Sequence, residues 1–338
     1  MKLSYLFIGL LFMGHLINGQ PQSSTPEKRA HHEMVYDEKN KSILLTTGST
    51  PLDGGKSFKF YNDRWHFSGD GWTKSADAGH ERSGIRMAYD SKRGKIFSYG
   101  GYTGNGSEGV FCELSGVEWK VLSDLPEMKA AEGGLVYDAD RDRFVAFGGS
   151  ASRGIANNIT WEWNGAEWKK FEGSGPEGRA AFAMIYDSKR KRSVLFGGMG
   201  ASPQERFGDT WEFDGKTWMK ISDNGPGPRI SPGYAYDSKR GLLIIFGGMQ
   251  NDATMGDTWG WNGKTWTKLA DAGPSARVMG YMAYEKGRDR VVLFGGRAGW
   301  PNDLNDTWEW DGTQWREINR IERSCPVLKG DLLMTVPN

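Results

Sequence analysis

The sequence predicts an all-β fold, a β-propeller of six four-stranded antiparallel blades. A block of about 50 residues recurs six times along the chain, and such a fixed period is typical of propellers and other repeat architectures. Every copy contains a Tyr followed by an acid, with a Gly 11 residues after the acid. The 48 glycines and 15 tryptophans suit many short strands joined by tight turns. The Tyr–acid pairs are Tyr36-Asp37, Tyr89-Asp90, Tyr137-Asp138, Tyr186-Asp187, Tyr236-Asp237 and Tyr284-Glu285.

The first 19 residues have the pattern of a secretory signal peptide. Lys2 supplies a positive start, residues 5–13 form an apolar core, and Gly19 is a small residue suited to the cleavage position. Because the apolar run is short for a membrane span, we expect cleavage rather than an uncleaved anchor. The sequence thus predicts a secreted or periplasmic protein, without membrane attachment after cleavage, in which residues 20–25 form a disordered lead-in.

The fourth repeat shows the four strands predicted for each blade. Strand A ends at Tyr186-Asp187, and a charged turn leads to strand B, which ends in Phe196-Gly197-Gly198. A longer loop leads to strand C, where Trp211 lies in an apolar–polar alternation with the two-residue period of a strand. Asp214-Gly215 then predicts a hairpin turn into strand D, which holds Trp218.

One such sheet has two apolar faces and cannot bury both of them alone. Six sheets packed radially bury each face on a neighbour and leave only short edges exposed. Every tryptophan except Trp300 occupies a strand C or strand D position of a repeat. We therefore expect these tryptophans to pack between blades rather than to form a ligand cage.

The double Gly after strand B, the aromatic residue before it and the spaced tryptophans resemble the kelch repeat. Six motifs in register imply a six-bladed propeller, which we place at residues 26–320. Three repeats depart from the pattern. The first has Thr46-Thr47-Gly48 for aromatic-Gly-Gly, the second has Val110-Phe111-Cys112 for Asp-Thr-Trp, and the third carries Lys129 out of register with the junction arginines.

Six copies of each strand type leave no blade obviously shared between the two chain ends. Ring closure is then expected from packing, or from the tail at residues 321–338, in which residues 332–336 could add a strand. Export would place the chain in an oxidising compartment. Cys112 could there pair with Cys325 and tie the tail to the propeller, but the sequence does not show whether the two cysteines meet.

Most of the variation in length falls on one face of the predicted propeller, which carries the B–C loops and the D–A junctions. Loops on a rigid scaffold are where binding usually occurs. Five junction arginines, each eight residues before the acid, are expected to ring the mouth of the central channel and to bind a ligand. In the alternative interpretation each arginine pairs with an adjacent acid or loop carbonyl and serves the scaffold. The five are Arg29, Arg82, Arg179, Arg229 and Arg277.

Off-pattern residues on this face are further candidates for binding. Trp300, in the last B–C loop, could stack on a sugar or anchor a partner, because tryptophan is favoured at binding hot spots. It could equally pack on its own loop, and Tyr102 is a weaker candidate of the same kind.

Polar residues at the start of the first two repeats are weak candidates for catalysis. His31, His32, Glu33 and Arg86 lie near the predicted channel mouth, where other repeats mostly carry small residues. Such a cluster could perform acid–base chemistry on a sugar. It could also be drift in an atypical terminal repeat, since end repeats commonly depart from consensus.

Composition and missing motifs narrow the function classes. A formal net charge of +1 gives no global bias toward nucleic acid. Zinc-protease, paired Cys-x-x-Cys, EF-hand and phosphate-loop motifs do not occur, so neither a metal nor another cofactor is predicted.

These observations predict a ligand-binding module that takes a glycan or a protein on the B–C/D–A face. The alternative is a carbohydrate-active enzyme, such as a sugar mutarotase, an epimerase or a polysaccharide lyase. This alternative rests partly on the kelch resemblance, and fold alone does not settle function. Whether the chain is an enzyme stays open at this level.

Overall fold

Six four-stranded antiparallel sheets build the protein, which confirms the predicted fold class. A computed structural model describes residues 25–69, 71–77, 81–152, 155–202 and 204–318. The predicted signal peptide, most of the lead-in, and the tail with Cys325 lie outside these residues. Each sheet is one repeat, with strands A to D adjacent in chain order. We number the sheets as blades 1 to 6.

Strands A and B form the inner half of each blade. Strand B is almost wholly buried, because it lies between A and C within the blade and under neighbouring blades on both faces. The A strands are Glu33–Asp37, Arg86–Asp90, Gly134–Asp138, Ala183–Asp187, Gly233–Asp237 and Tyr281–Glu285. The B strands are Ser42–Thr46, Lys95–Tyr99, Arg143–Phe147, Arg192–Phe196, Leu242–Phe246 and Arg290–Phe294.

Strands C and D form the outer half. The C strands are Asp63–Phe67, Val110–Ser115, Thr160–Trp163, Thr210–Phe213, Thr258–Trp261 and Thr307–Trp310. The D strands are Trp72–Asp77, Glu118–Asp124, Trp168–Lys170, Trp218–Ser222, Trp266–Ala270 and Trp315–Glu317. Single 3-10 turns at Asp53–Gly55 and Pro126–Met128 are the helical segments among the described residues, and neither could cross a membrane.

Three B–C loops contain an additional two-stranded hairpin. The hairpin of blade 1 pairs Ser49–Leu52 with Ser57–Phe60 and is the longest of the three. Shorter hairpins pair Ser150–Ser152 with Ile155–Ala156 in blade 3, and Met249–Gln250 with Ala253–Thr254 in blade 5.

The ring closes by packing of blade 6 on blade 1. Each strand A contacts the A strands of both neighbouring blades, including blade 1 with blade 6. At this closure Met34, Phe67 and Trp72 form one core cluster with Tyr281 and Phe294. The indole Nε1 of Trp72 also donates a hydrogen bond to Thr307 Oγ1 at 2.9 Å. Within the described residues, no blade is shared between the two chain ends.

A ring of six residues at the D–A junctions encircles the channel mouth. Each has a positive φ, between 48° and 63°, and lies six residues before the acid that ends strand A. Five backbone amides of this set donate to the carbonyl of the equivalent residue one blade earlier, at 2.7 to 3.0 Å. We call this set the junction ring; its members are His31, Gly84, Glu132, Ala181, Ser231 and Met279.

Candidate binding site

Four of the five junction arginines are buried inside the blades. The Nη1 of Arg229 donates to Asp257 Oδ1 at 2.6 Å and to the Gly247 carbonyl at 3.1 Å, while Trp259 Nε1 donates to Asp257 Oδ2 at 2.8 Å. Burial alone would raise the pKa of Asp257, but the bonds from Arg229 and Trp259 outweigh burial and lower it. We call this arrangement the Arg–Asp–Trp triad. The other triads are Arg29–Asp63–Trp65, Arg179–Asp209–Trp211 and Arg277–Asp306–Trp308.

The triad arginines offer no surface to a ligand, because their side chains are 0 to 1% exposed. Their geometry is that of the scaffold interpretation. Each triad ties the D–A junction of a blade to the start of its own strand C, which positions the loops of the B–C face.

Arg82 of blade 2 is the exception among the junction arginines. Val110 occupies the position of the triad aspartate, so Arg82 has no carboxylate partner there. Its Nη1 makes a long hydrogen bond, 3.4 Å, to the Gly100 carbonyl, and the side chain is half-buried. Blade 3 lacks both charges, with Ala130 and Ile159 at the two positions.

An exposed row of aromatic side chains crosses the B–C loops of blades 6, 1 and 2. Trp300 is 54% exposed, Phe58 45% and Tyr102 37%. The ring centroids of Phe58 and Trp300 lie 5.9 Å apart, and those of Phe60 and Tyr102 lie 6.4 Å apart. We call these four residues the aromatic ridge. The exposed Leu52 lies at the tip of the same blade 1 hairpin.

Neighbouring groups hold the ridge in place. The Arg297 guanidinium lies 4.7 Å from the centroid of the Trp300 ring and is fixed by a 2.6 Å bond from its Nε to Asp303 Oδ1. The Trp300 ring lies against Gly55 and leaves no room there for a Cβ. Trp300 thus joins the loop of blade 6 to the hairpin of blade 1. At the other end the Tyr102 hydroxyl donates to the Gly104 carbonyl at 2.9 Å.

Two of the four ridge residues, Trp300 and Tyr102, are binding candidates from the sequence. Phe58 and Phe60 are not, because they lie in the variable B–C loop of blade 1, for which no strand is predicted. A signal was present. Two phenylalanines separated by one residue project to the same side of a strand, and they stand in a loop rather than at a repeat position.

A cavity of about 760 Å³ lies between the aromatic ridge and the junction ring. Phe58, Phe60 and Tyr102 line one side, and His31 and Glu132 of the junction ring contribute to the lining. We call this cavity the ridge pocket. Its remaining side chains are small or paired, namely Ser49, Ser83, Ser107, Ser150, Ala131, Ala151 and Arg297. Its volume is within the usual range of small-ligand sites.

His31 and Glu132 form a hydrogen-bonded pair in this pocket. His31 Nδ1 and Glu132 Oε1 are 2.7 Å apart, and both side chains are partly exposed. Burial raises the pKa of Glu132, but His31 and the more distant Arg86 outweigh it, so the net shift is downward. In the neutral tautomer that donates from Nδ1 to this carboxylate, the imidazole Nε2 is an acceptor.

The structure separates the other polar candidates from the pocket. Arg86 Nη1 donates to the Ile85 carbonyl at 2.8 Å and the Tyr281 hydroxyl at 3.1 Å, and it lies 3.4 Å from Glu33 Oε2. Burial raises the pKa of Glu33 to about 7, against the lowering effect of Arg86. These buried side chains, Glu33, Arg86 and Tyr281, form a plug inside the channel.

His32 is fully buried. Its ring lies edge-on to Tyr281 and Phe294, with centroids 5.1 and 5.5 Å away. Burial holds the pKa of His32 well below its ordinary value. His32 is therefore a neutral packing residue. Of the four predicted catalytic candidates, His31 lines the ridge pocket, whereas Glu33 lines a separate cavity among the A strands.

Cys112 carries a free, buried thiol in the structure, and Cys325, with which it could pair, lies outside the described residues. Within the described part of the chain, no group of three or more His, Cys, Asp or Glu side chains is arranged to hold a metal ion.

A match to a protein-family model assigns the family. The model of the KLHDC2/KLHL20/DRC7 Kelch-repeats domain matches residues 142–336, more than half of the chain. The chain belongs to the kelch-repeat family. Kelch propellers generally mediate protein binding. A comparison with curated proteins found no match.

Proposed function

We propose that this kelch propeller binds a partner protein through the aromatic ridge. The observation that carries the proposal is the exposure of Trp300, Phe58 and Tyr102 side by side on loops of three adjacent blades. Apolar patches on soluble proteins commonly mark interaction sites. Tryptophan and tyrosine are enriched among the residues that dominate binding energy.

The shape of the ridge favours a protein over a glycan. Its ring planes are tilted, by 57° between Phe58 and Trp300 and by 41° between Phe60 and Tyr102. With Leu52 beside them, they form an uneven apolar surface rather than a flat platform for a sugar ring. Partner side chains can interdigitate with such a surface and bury apolar area.

Paired variants test the proposal in a pull-down followed by cross-linking of the captured partner. Trp300→Ala and Phe58→Ala should each weaken binding at least about tenfold, as expected of hot-spot residues. Val117→Ala is the matched control, because Val117 is 56% exposed and lies at the C–D turn of blade 2, on the opposite face. Undiminished binding by both ridge variants would exclude this face, whereas a glycan-array signal lost with Trp300→Ala would replace the protein by a glycan.

The carbohydrate-active alternative has one supporting observation, the carboxylate-bound imidazole of His31 in the ridge pocket. A histidine oriented in this way is suited to general base catalysis. Turnover of uronate or sialate sugars that is lost with His31→Ala, but kept with His32→Phe, would support an enzyme. Absence of turnover across these sugars would leave the binding function as the better account.

Export is also part of the proposal, supported by the signal pattern of residues 1–19. Expression of the full chain should yield exported protein with a new N-terminus near Gln20, as read by N-terminal sequencing. Retention of Met1 on the recovered protein would contradict export by cleavage.

A further inference from the structure

We propose that the ridge pocket receives a basic side chain, a lysine or an arginine, of the partner protein. The inference rests on the proposed function, since the pocket lies beneath the ridge on which the partner docks. It names the chemistry of the partner residue that enters there.

The aromatic wall is the first argument. Phe58, Phe60 and Tyr102 line one cavity, so a group that enters it lies near the faces or edges of three rings. The hydroxyl of Tyr102 is engaged by Gly104, which fixes the orientation of its ring. Aromatic faces attract ammonium and guanidinium groups, and such sites serve in the recognition of cationic ligands.

The His31–Glu132 pair in the pocket is the second argument. Beyond its bond to His31, Glu132 keeps its second carboxylate oxygen as an acceptor, and the neutral His31 tautomer that donates from Nδ1 adds Nε2 as a second acceptor. An ammonium group donates up to three hydrogen bonds and accepts none, so it matches two acceptors beside an aromatic wall. A carboxylate ligand would meet Glu132 as a like charge.

The two arginines of the protein that lie near the ridge pocket are bound elsewhere and do not take the place of a basic ligand. Arg297 lines the pocket, but it is bound to Asp303 and lies on Trp300. Arg86 lies deeper and is committed to the Tyr281 hydroxyl and the Ile85 carbonyl. Around the junction ring the remaining members are Gly84, Ala181, Ser231 and Met279. Ionisable side chains therefore occur only on the part of the ring that adjoins the aromatic ridge.

Two small probes that differ in a single charged group provide the test. N-acetyl-lysine amide and N-acetyl-norleucine amide share the same backbone caps and aliphatic stem, and only the former carries the ammonium. Chemical-shift titration of isotope-labelled protein should show that the lysine probe binds about five to ten times more tightly, the magnitude expected of a cation at aromatic and acceptor groups.

Variants then identify the residues responsible. Glu132→Gln should reduce the preference for lysine to twofold or less, and Phe60→Leu, which keeps the charges, should reduce it partially. Glu118→Gln, an exposed carboxylate at the start of strand D of blade 2, should leave it unchanged. Equal affinity for the two probes in the wild-type protein, or an unchanged preference in Glu132→Gln, would overturn the inference.

Trp300→Ala separates this inference from the proposed function. Trp300 does not line the pocket, so the variant should keep the lysine preference while it loses partner binding. A protein whose ridge variants bind the partner normally but whose lysine preference depends on Glu132 would have the cation pocket without the docking surface. The reverse pattern would leave the ridge as a docking surface without a cation pocket.

Discussion

Blades 2 and 5 fill the same repeat positions in opposite ways. In blade 5, Arg229, Asp257 and Trp259 form a buried triad, and Thr258 accepts a hydrogen bond from Trp315 of blade 6. Blade 2 has Val110, Phe111 and Cys112 at the positions of Asp257, Thr258 and Trp259. The ring of Phe111 instead packs among aromatic side chains of its own blade and of blade 3, which are Phe97, Phe144, Trp163 and Trp168.

The comparison shows that a blade closes with or without these polar contacts. Blade 3 has neither the arginine nor the aspartate, and blade 2 has only Arg82, which is half-buried and donates a hydrogen bond to a carbonyl. A buried charge without a partner is costly, whereas an apolar replacement of both partners can be neutral. Where the aspartate is absent, the arginine is therefore either absent too, as in blade 3, or only half-buried, as in blade 2.

Removing one partner of a triad should produce the largest effect. Asp257→Ala leaves Arg229 buried without its carboxylate, which typically costs about 3 to 5 kcal/mol. The loss should appear in urea unfolding followed by circular dichroism. Because the pKa of Asp257 is lowered in the folded protein, its contribution is present above the unfolded pKa and is lost as pH falls through the folded one. The difference between variant and wild type should shrink in acid.

The double variant Arg229→Ala/Asp257→Ile is the control for that experiment. It copies Ala130 and Ile159 of blade 3 into blade 5. It should be more stable than Asp257→Ala alone, since no charge is left unpaired. Equal losses in the single and double variants would show that the triad acts through packing rather than through charge pairing.

The next largest expected effect is a pH dependence of the unfolding free energy, which arises from Glu33 in the channel plug. Glu33 and Arg86 stand where blades 3, 4 and 5 have Gly134, Ala183 and Gly233. The pKa of Glu33 is raised to about 7 by burial, above its unfolded value. Stability from this group is fully present below the unfolded pKa and is lost as pH rises to about 7, by roughly 3 kcal/mol.

Glu33→Gln removes this titration. The variant should show a flatter pH dependence of the unfolding free energy between pH 4.5 and 8, and it should exceed the wild type in stability at pH 8. Glu118→Gln, at an exposed carboxylate, supplies the comparison. Parallel pH profiles for Glu33→Gln and the wild type would mean that Glu33 is ionised in the folded protein throughout this range.

A single hydrogen bond between blades should have a smaller effect. Thr258→Val keeps the side-chain shape but removes the acceptor of Trp315 Nε1, now 2.8 Å away. An unsatisfied buried donor costs about 1 to 3 kcal/mol. Trp168 Nε1 already has no partner among the described residues, because Phe111 holds the threonine position. Thr267→Val, at an exposed position of strand D in the same blade, should change the unfolding midpoint little.

The fold was predictable because the same pattern of strand and turn residues recurs in six repeats. The Tyr–acid pair, the double Gly and the strand tryptophans each specify one local structure, and agreement among copies removes ambiguity. The junction ring escaped prediction, because its shared property is a positive φ and not a residue type. Gly84 and Met279 have the same backbone role, and no sequence pattern connects them.

The site was predictable only where a residue broke the repeat. Trp300 is the tryptophan outside the repeat positions, and Tyr102 and His31 are also off-pattern. The role of the junction arginines stayed open in the sequence for the opposite reason. Their regular spacing suggested a ring around the channel, but whether a side chain turns toward the channel or into the blade depends on its partner. The partner aspartate is about 30 residues away in sequence, as Arg179 and Asp209 show.

The smallest expected effect on stability is that of Trp300→Ala, with a buried tryptophan as its reference. Trp261 is fully buried on strand C of blade 5, and Trp300 is more than half exposed on the ridge. Trp261→Ala should destabilise by about 3 to 5 kcal/mol through the cavity it leaves, whereas Trp300→Ala should stay within about 0.5 kcal/mol. Thermal unfolding of both variants beside the binding assay decides the point. A large loss of stability with Trp300→Ala would make the contact with Gly55 structural, and would remove the argument that this aromatic side chain is exposed for a partner.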